Sequence, residues 1–273
     1  MWVFVINLDR DRERLTRMIA EGERVGLSFE RFAAVDGNRL EADLREQFYD
    51  GDELHEPAFT PGEIGVYASH LRIHRLLESR DGECALVLED DVRLAEDLVP
   101  TIEAAMKAAG DWDIIRLSNS TKSVYRPVAD LGGGRELVQY WTVPNGTGAY
   151  LISRTGAIKF TSAYDRRTLP IDEDMRRPWQ SGLVTYGVLP PPVDPDVLEH
   201  SSIDGMGRDR KLPARTRFKE AATRDDLVPQ LRYRLETFGV MGFAGAYLRS
   251  LAASLVKRIA GRKAAAKLYR MRS

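Results

Sequence analysis

An unbroken apolar run, Cys84-Ala85-Leu86-Val87-Leu88, ends abruptly at three consecutive acids, Glu89-Asp90-Asp91. A short apolar run between turn signals reads as a strand buried on both faces, and such strands belong to sheets covered by helices on either side. The same logic opens the chain. Residues 2–8 form a short apolar strand, and Leu15, Met18, Ile19 and Val25 then recur at helical spacing, with Gly26 as the stop. Residues 29–35 form a second strand, closed by Asp36-Gly37. Strand, helix, strand is the usual beginning of an α/β domain.

The pattern continues downstream. Thr60-Pro61-Gly62-Glu63 combines a capping threonine, a first-turn proline and a capping-box glutamate, which predicts a helix running to about Leu77. Further helices are expected over 97–108 and from about Arg154, with strands over 112–117, 149–152 and 184–189. Asn145-Gly146-Thr147-Gly148 reads as a flexible loop. Near residue 206 the character changes, so the chain divides into a main α/β domain over 1–220 and a helical, basic tail over 221–273.

Composition narrows the classes. With 273 residues, 43% of them hydrophobic, there is enough chain for a substantial core. A formal net charge of −1 argues against a surface shaped for nucleic acid, and no nucleic-acid partner is expected. The lone cysteine, Cys84, lies in the apolar run and rules out an internal disulfide framework. No basic segment precedes the apolar start, so it reads as a first strand rather than a signal peptide. The expected compartment is the cytoplasm.

Acids placed directly after a buried strand sit where ligands of α/β sheets gather, outside the carboxyl ends of the strands. Hard carboxylate oxygens suit Mg²⁺ or Mn²⁺, which share few protein ligands with substrate phosphates. For an arbitrary acidic triplet, a solvated strand edge is the commoner explanation. His70 and His74 are spaced to share a helix face, but no glutamate directly follows His70, so the zinc-protease pattern is absent.

Several segments, in order, resemble glycosyltransferase family 25, the lipooligosaccharide-biosynthesis family that also includes collagen galactosyltransferases. They are Val5-Ile6-Asn7-Leu8 with Arg14, Ala34-Val35-Asp36-Gly37, Gly62-Glu63-Ile64-Gly65 with Ser69-His70, and Leu88-Glu89-Asp90-Asp91-Val92. Asp113 to Leu117, Gly146 to Ser153 and Pro170-Ile171-Asp172 follow. One departure is His74, where the family commonly carries an aromatic residue. The resemblance implies an α/β fold of the GT-A type, a Rossmann-like α/β/α sandwich that binds a nucleotide sugar. It further implies an inverting transfer of a hexose, galactose or glucose, from a UDP-sugar to a hydroxyl of a glycan or glycolipid.

Site roles follow from that resemblance. Glu89 and Asp91 are the expected ligands of Mn²⁺ or Mg²⁺, with His200 as a late third. Asp172, with Asp174 second, is the expected base, placed in an acidic loop. Asn7, Asp36, Glu63, Ser69, His70, Asp90 and Asn145 are expected around the donor. A different-class alternative is a catalytically silent nucleotide-sugar-binding or membrane scaffold protein.

The tail has its own chemistry. From Val240 to Ser273 there are eight Lys or Arg residues and no acid. Leu248, Leu251, Leu255 and Ile259 share one helical face beside Lys257, Arg258, Arg262 and Lys263. This suits an amphipathic helix on the anionic cytoplasmic face of the inner membrane. A helix packed on the domain, with a solvated basic end, is the competing expectation.

Overall fold

The computed structural model describes residues 1–51, 53–54, 59–79, 82–118, 121–195 and 226–271. Along its first half run β1 (Trp2–Asn7), α1 (Arg12–Val25), β2 (Glu30–Ala33), α2 (Ala42–Arg45), β3 (Tyr49–Asp50), β4 (Glu53–Leu54) and α3 (Pro61–Ser79). Next come β5 (Cys84–Glu89), β6 (Val92–Leu94), α4 (Leu98–Ala109), β7 (Ile114–Arg116), β8 (Tyr125–Gly132), β9 (Arg135–Tyr140) and β10 (Ala149–Ser153). The remainder is α5 (Arg154–Ser162), α6 (Ile171–Asp174), α7 (Pro178–Ser181), β11 (Thr185–Leu189), β12 (Val193–Pro195) and α8 (Leu227–Ala266).

Eight strands build the central sheet in the order β2-β1-β5-β10-β7-β11-β9-β8. β2, β1 and β5 are mutually parallel, and β10 runs antiparallel to both of its neighbours, β5 and β7. β11 is again parallel to β7. Successive side chains in a strand point to opposite faces, so each strand feeds two cores. Phe4, Ala85, Val87, Ile114 and Tyr150 pack on one face with α3 and α5. Val5, Leu86, Leu88, Ile115 and Leu151 pack on the other with Met18 of α1 and Leu98, Ile102 and Ala105 of α4. Helices on both faces make this an α/β/α sandwich, the architecture expected from the sequence.

The local signals work as read. α1 ends at Gly26, whose φ of 70° is left-handed. The capping box closes at α3: Glu63 Oε2 accepts from Thr60 N at 3.0 Å, and Thr60 Oγ1 accepts from Glu63 N at 3.3 Å. The expected strands and helices agree with the observed ones to within a residue or two.

Three features differ. The β8–β9 hairpin occupies a stretch to which the sequence reading gives no element. Its outer strand is half-exposed along its length and contains Pro127, so the apolar alternation that would announce it is weak. Asp172 and Asp174 lie in a short helix, α6, rather than in a loop. The tail helix begins earlier than its apolar stretch, at Leu227, and is broken at Gly239 and Gly261, whose φ values are 67° and 83°. The boundary placed near residue 220 lies outside the described residues.

Candidate active site

The carboxyl ends of β1, β5 and β7 meet the amino end of β10 at one edge of the sheet, bringing Asn7, Glu89, Arg116 and the 145–148 loop together. A groove at this edge is lined by Ile6, Asp36, Gly37, Ser69, His70 and Glu89. Its wall depends on two glycines. A Cβ on Gly37 would lie 1.9 Å from Pro61 O, and one on Gly65 would lie 2.6 Å from Val35 O. The loop after β2 can therefore sit against the first turns of α3 only because neither position carries a side chain.

Three carboxylates crowd this edge. Glu89 Oε1 accepts from Thr147 Oγ1 at 2.5 Å and lies 3.7 Å from His70 Nε2. Burial acts to raise its pKa, but His70, Thr147 and Arg116 together outweigh burial and hold it below the usual range. Asp90 accepts from Asn7 Nδ2 at 2.6 Å and from Arg14 Nη1 at 3.2 Å. Asp91 is 3.9 Å from that same guanidinium. Burial, with the neighbouring charges of Glu89 and Asp90, pushes Asp91 up to about 6.

This charge crowding is a fit test for a divalent cation. Asp91 presents oxygen donors where negative charge is under-compensated, two residues along the chain from the Glu89 carboxylate. Among the described residues no group of three or more potential ligands converges. Two carboxylates are nonetheless the protein share that Mg²⁺ or Mn²⁺ takes when phosphates and water complete its shell. The oxygen chemistry of these two side chains suits such an ion. His200 lies outside the described residues.

Behind Glu89 stands a buried chain of polar groups. His70 Nδ1 is 2.8 Å and His74 Nε2 2.9 Å from the Tyr150 hydroxyl. Burial first, then His70 and Arg167, hold His74 well below the usual histidine range, so it is neutral. Burial also lifts Tyr150 far above its ordinary value, so it remains a phenol. One hydroxyl proton cannot serve both rings, so at least one of the two nitrogens must donate to the Tyr150 oxygen.

Arg116 is 1% exposed and donates through Nη2 to the carbonyl of Gly146, whereas Nε and Nη1 find no hydrogen-bond partner among the described residues. Burial lowers its pKa, and Tyr140, Asp172 and Tyr150 oppose that effect. Arg116 thus acts electrostatically on both Glu89 and Asp172. Asp172 is half-buried, whereas Asp174 turns into the core, 3% exposed, and accepts from Tyr67 OH at 2.6 Å. Burial pushes Asp174 up to about 7.

Beside His70 and Asp90, the five other expected donor contacts divide into two groups. Asp36 and Asn145 are exposed at the groove side and on the loop before β10. Asn7, Glu63 and Ser69 are buried and hydrogen-bonded within the frame, and Ser69 also lines the groove. Asn7 donates to Asp11 O and Asp90 and accepts from Arg31 Nε at 3.0 Å. Glu63 caps α3, and Ser69 joins Gly65 O to Val35 N at 2.6 and 2.8 Å.

Sequence reasoning gave no role to Arg14, Arg116, Thr147 or Tyr150. For Arg116 a signal was available: a lone cation inside the apolar Ile114-Ile115-Arg116-Leu117 is buried at a cost unless it serves something.

Fold and edge together define a class, α/β sandwiches whose carboxylates gather at the carboxyl ends of their strands. The sequence model described as "Glycosyltransferase family 25 (LPS biosynthesis protein)" matches residues 1–175, and the chain belongs to that family. A Drosophila pseudoobscura pseudoobscura protein named "Glycosyltransferase 25 family member" is 34% identical over 188 residues, covering 63% of this chain and 29% of that protein. "Procollagen galactosyltransferase 1" of Danio rerio is 31% identical over 186 residues, covering 63% and 30%. The chain thus spans about 30% of the length of these curated relatives. Among solved structures, "Crystal Structure of A197 from STIV" aligns with a TM-score of 0.37 at 17% identity, covering 68% of this chain and 81% of that one. A likeness that remote carries no argument here.

Proposed function

We propose that the chain transfers a hexose, galactose or glucose, from a UDP-sugar to a hydroxyl of a glycan or glycolipid, with inversion at the anomeric carbon. The observation that carries this reading is the edge at Glu89-Asp90-Asp91, where charge crowding raises Asp91 next to a groove walled by Gly37 and Gly65. Family membership and the galactosyltransferase names of the relatives support it.

Glu89 and Asp91 would hold Mn²⁺ or Mg²⁺. That ion would supply Lewis-acid stabilisation of the departing diphosphate, worth several kcal/mol in general. Asp90, fixed by Asn7 and Arg14, keeps the acidic turn in place. Asp172 accepts the proton of the acceptor hydroxyl as it attacks opposite the leaving group. Arg116 lends positive potential beside it. Asp174 is unsuited to contact an acceptor, because its carboxylate is spent on Tyr67 inside the core.

The test is hydrolysis of UDP-galactose and UDP-glucose without acceptor, with Mn²⁺ present or chelated. Slow release of UDP that requires the metal supports the reading. Donor binding without any release, with or without candidate acceptors, would point to a silent sugar-nucleotide-binding protein.

A further inference from the structure

Helix α8 divides its apolar surface between two partners, and only one of them is in the fold. Phe238 and Ala246 are buried in a cluster with Val124, Trp141 and Met271. Ala253, about two turns beyond Ala246, is 4% exposed. Arg126 secures the start of this packing, donating to Phe238 O at 3.1 Å and to Thr237 O at 2.6 Å. On the opposite side of residues 240–260 stands a second stripe. Met241 is 86% exposed, Leu248 65%, Leu251 51%, Leu255 59% and Ile259 78%. Steps of three, four and seven residues keep them on one helical face.

A row of large apolar side chains at such exposure marks a contact surface. Charge identifies the contact. Lys257, Arg258, Arg262, Lys263 and Lys267 are exposed around the end of the stripe, and no acid follows Glu236 in the sequence. A second copy of this chain would bring the same positive charge against itself. We infer that residues 240–260 lie in the plane of an anionic bilayer, with Met241, Leu248, Leu251, Leu255 and Ile259 inserted among the acyl chains and the basic end on the headgroups.

Length and composition alone would let α8 cross a membrane. The packing decides otherwise: one face of the helix belongs to the protein, and the breaks at Gly239 and Gly261 bound the segment that carries the stripe. An in-plane position keeps both faces in their own surroundings, apolar side chains toward lipid and Ala246 toward Trp141. This surface is independent of the sugar-transfer chemistry, and its test is separate.

The experiment is co-sedimentation of the full chain with phosphatidylcholine vesicles, with and without phosphatidylglycerol. The expected result is binding only to the anionic vesicles, released by high salt. The triple substitution Leu251→Ser, Leu255→Ser, Ile259→Ser should weaken it by at least about tenfold. Lys257→Gln with Arg258→Gln and Lys263→Gln should weaken it and flatten its salt dependence. All six positions are exposed, so the melting temperature of each variant should match that of the unaltered protein. Equal binding by the serine variant would overturn the inference. So would resistance to high salt, which indicates a spanning helix, or a dimer in the unaltered protein that the serine variant dissolves.

Discussion

The Tyr150 hydroxyl sits 2.8 Å from His70 Nδ1, and the other nitrogen of that ring faces Glu89 Oε1 at 3.7 Å. A carboxylate on that side calls for a proton on Nε2. In the neutral ring Nδ1 then accepts from Tyr150, and His74 Nε2 must donate to the same hydroxyl oxygen. The chain His74, Tyr150, His70 therefore aims one N–H at the acidic edge. Tyr150→Phe keeps the ring and strands two buried nitrogens. We expect a loss of about 1–3 kcal/mol in a urea titration and weaker donor hydrolysis. Unchanged stability would remove the chain from the account.

Asp174 makes a prediction about pH. Its folded pKa, about 7, lies above the unfolded value of about 3.9. Between those values the folded state binds the extra proton, so its contribution falls as pH rises, by at most about 1.4 kcal/mol per unit. Asp174→Asn retains a partner for Tyr67 and has no charge to lose. Relative to the variant, the unaltered protein should lose on the order of 1–3 kcal/mol between pH 5 and 7.5. A constant difference across that range would contradict the buried position of this carboxyl.

Gly65→Ala tests the groove wall. With Val35 O only 2.6 Å from the new methyl, the loop after β2 must move away from α3. The expected cost is roughly 1–3 kcal/mol, accompanied by weaker UDP-sugar binding in calorimetry. Equal affinity would place the donor elsewhere.

Asp172→Asn separates chemistry from binding. Transfer should fall by about 10²–10⁴-fold, with donor and Mn²⁺ affinities little changed. Loss of donor binding with intact turnover at saturation would instead make Asp172 a binding residue.

The sandwich was legible because its inner strands are continuous apolar runs and its helices carry strong stops. Cys84 to Leu88 is one such run, and Gly26 and the Thr60–Glu63 box are such signals. The β8–β9 hairpin was not legible, since an edge strand with one polar face loses the alternation that reveals it. At the site, the acidic turn and His70 were readable from order and spacing. Tyr150 was not: within Ala149 to Ile152 it looks like ordinary strand filling, and its bonds to His70 and His74 join residues far apart in sequence. Glu63 and Ser69 lie in a recognised motif, and their side chains also cap the helix and tie it to the neighbouring loop.

Binding of Mn²⁺ by calorimetry, with and without UDP, to the unaltered chain and to Glu89→Gln and Asp91→Asn is the most direct measurement. The account predicts that the ion binds tightly only with UDP present, and that each substitution weakens it by at least about tenfold. Mn²⁺ and UDP bound with unchanged affinity by both variants would contradict it.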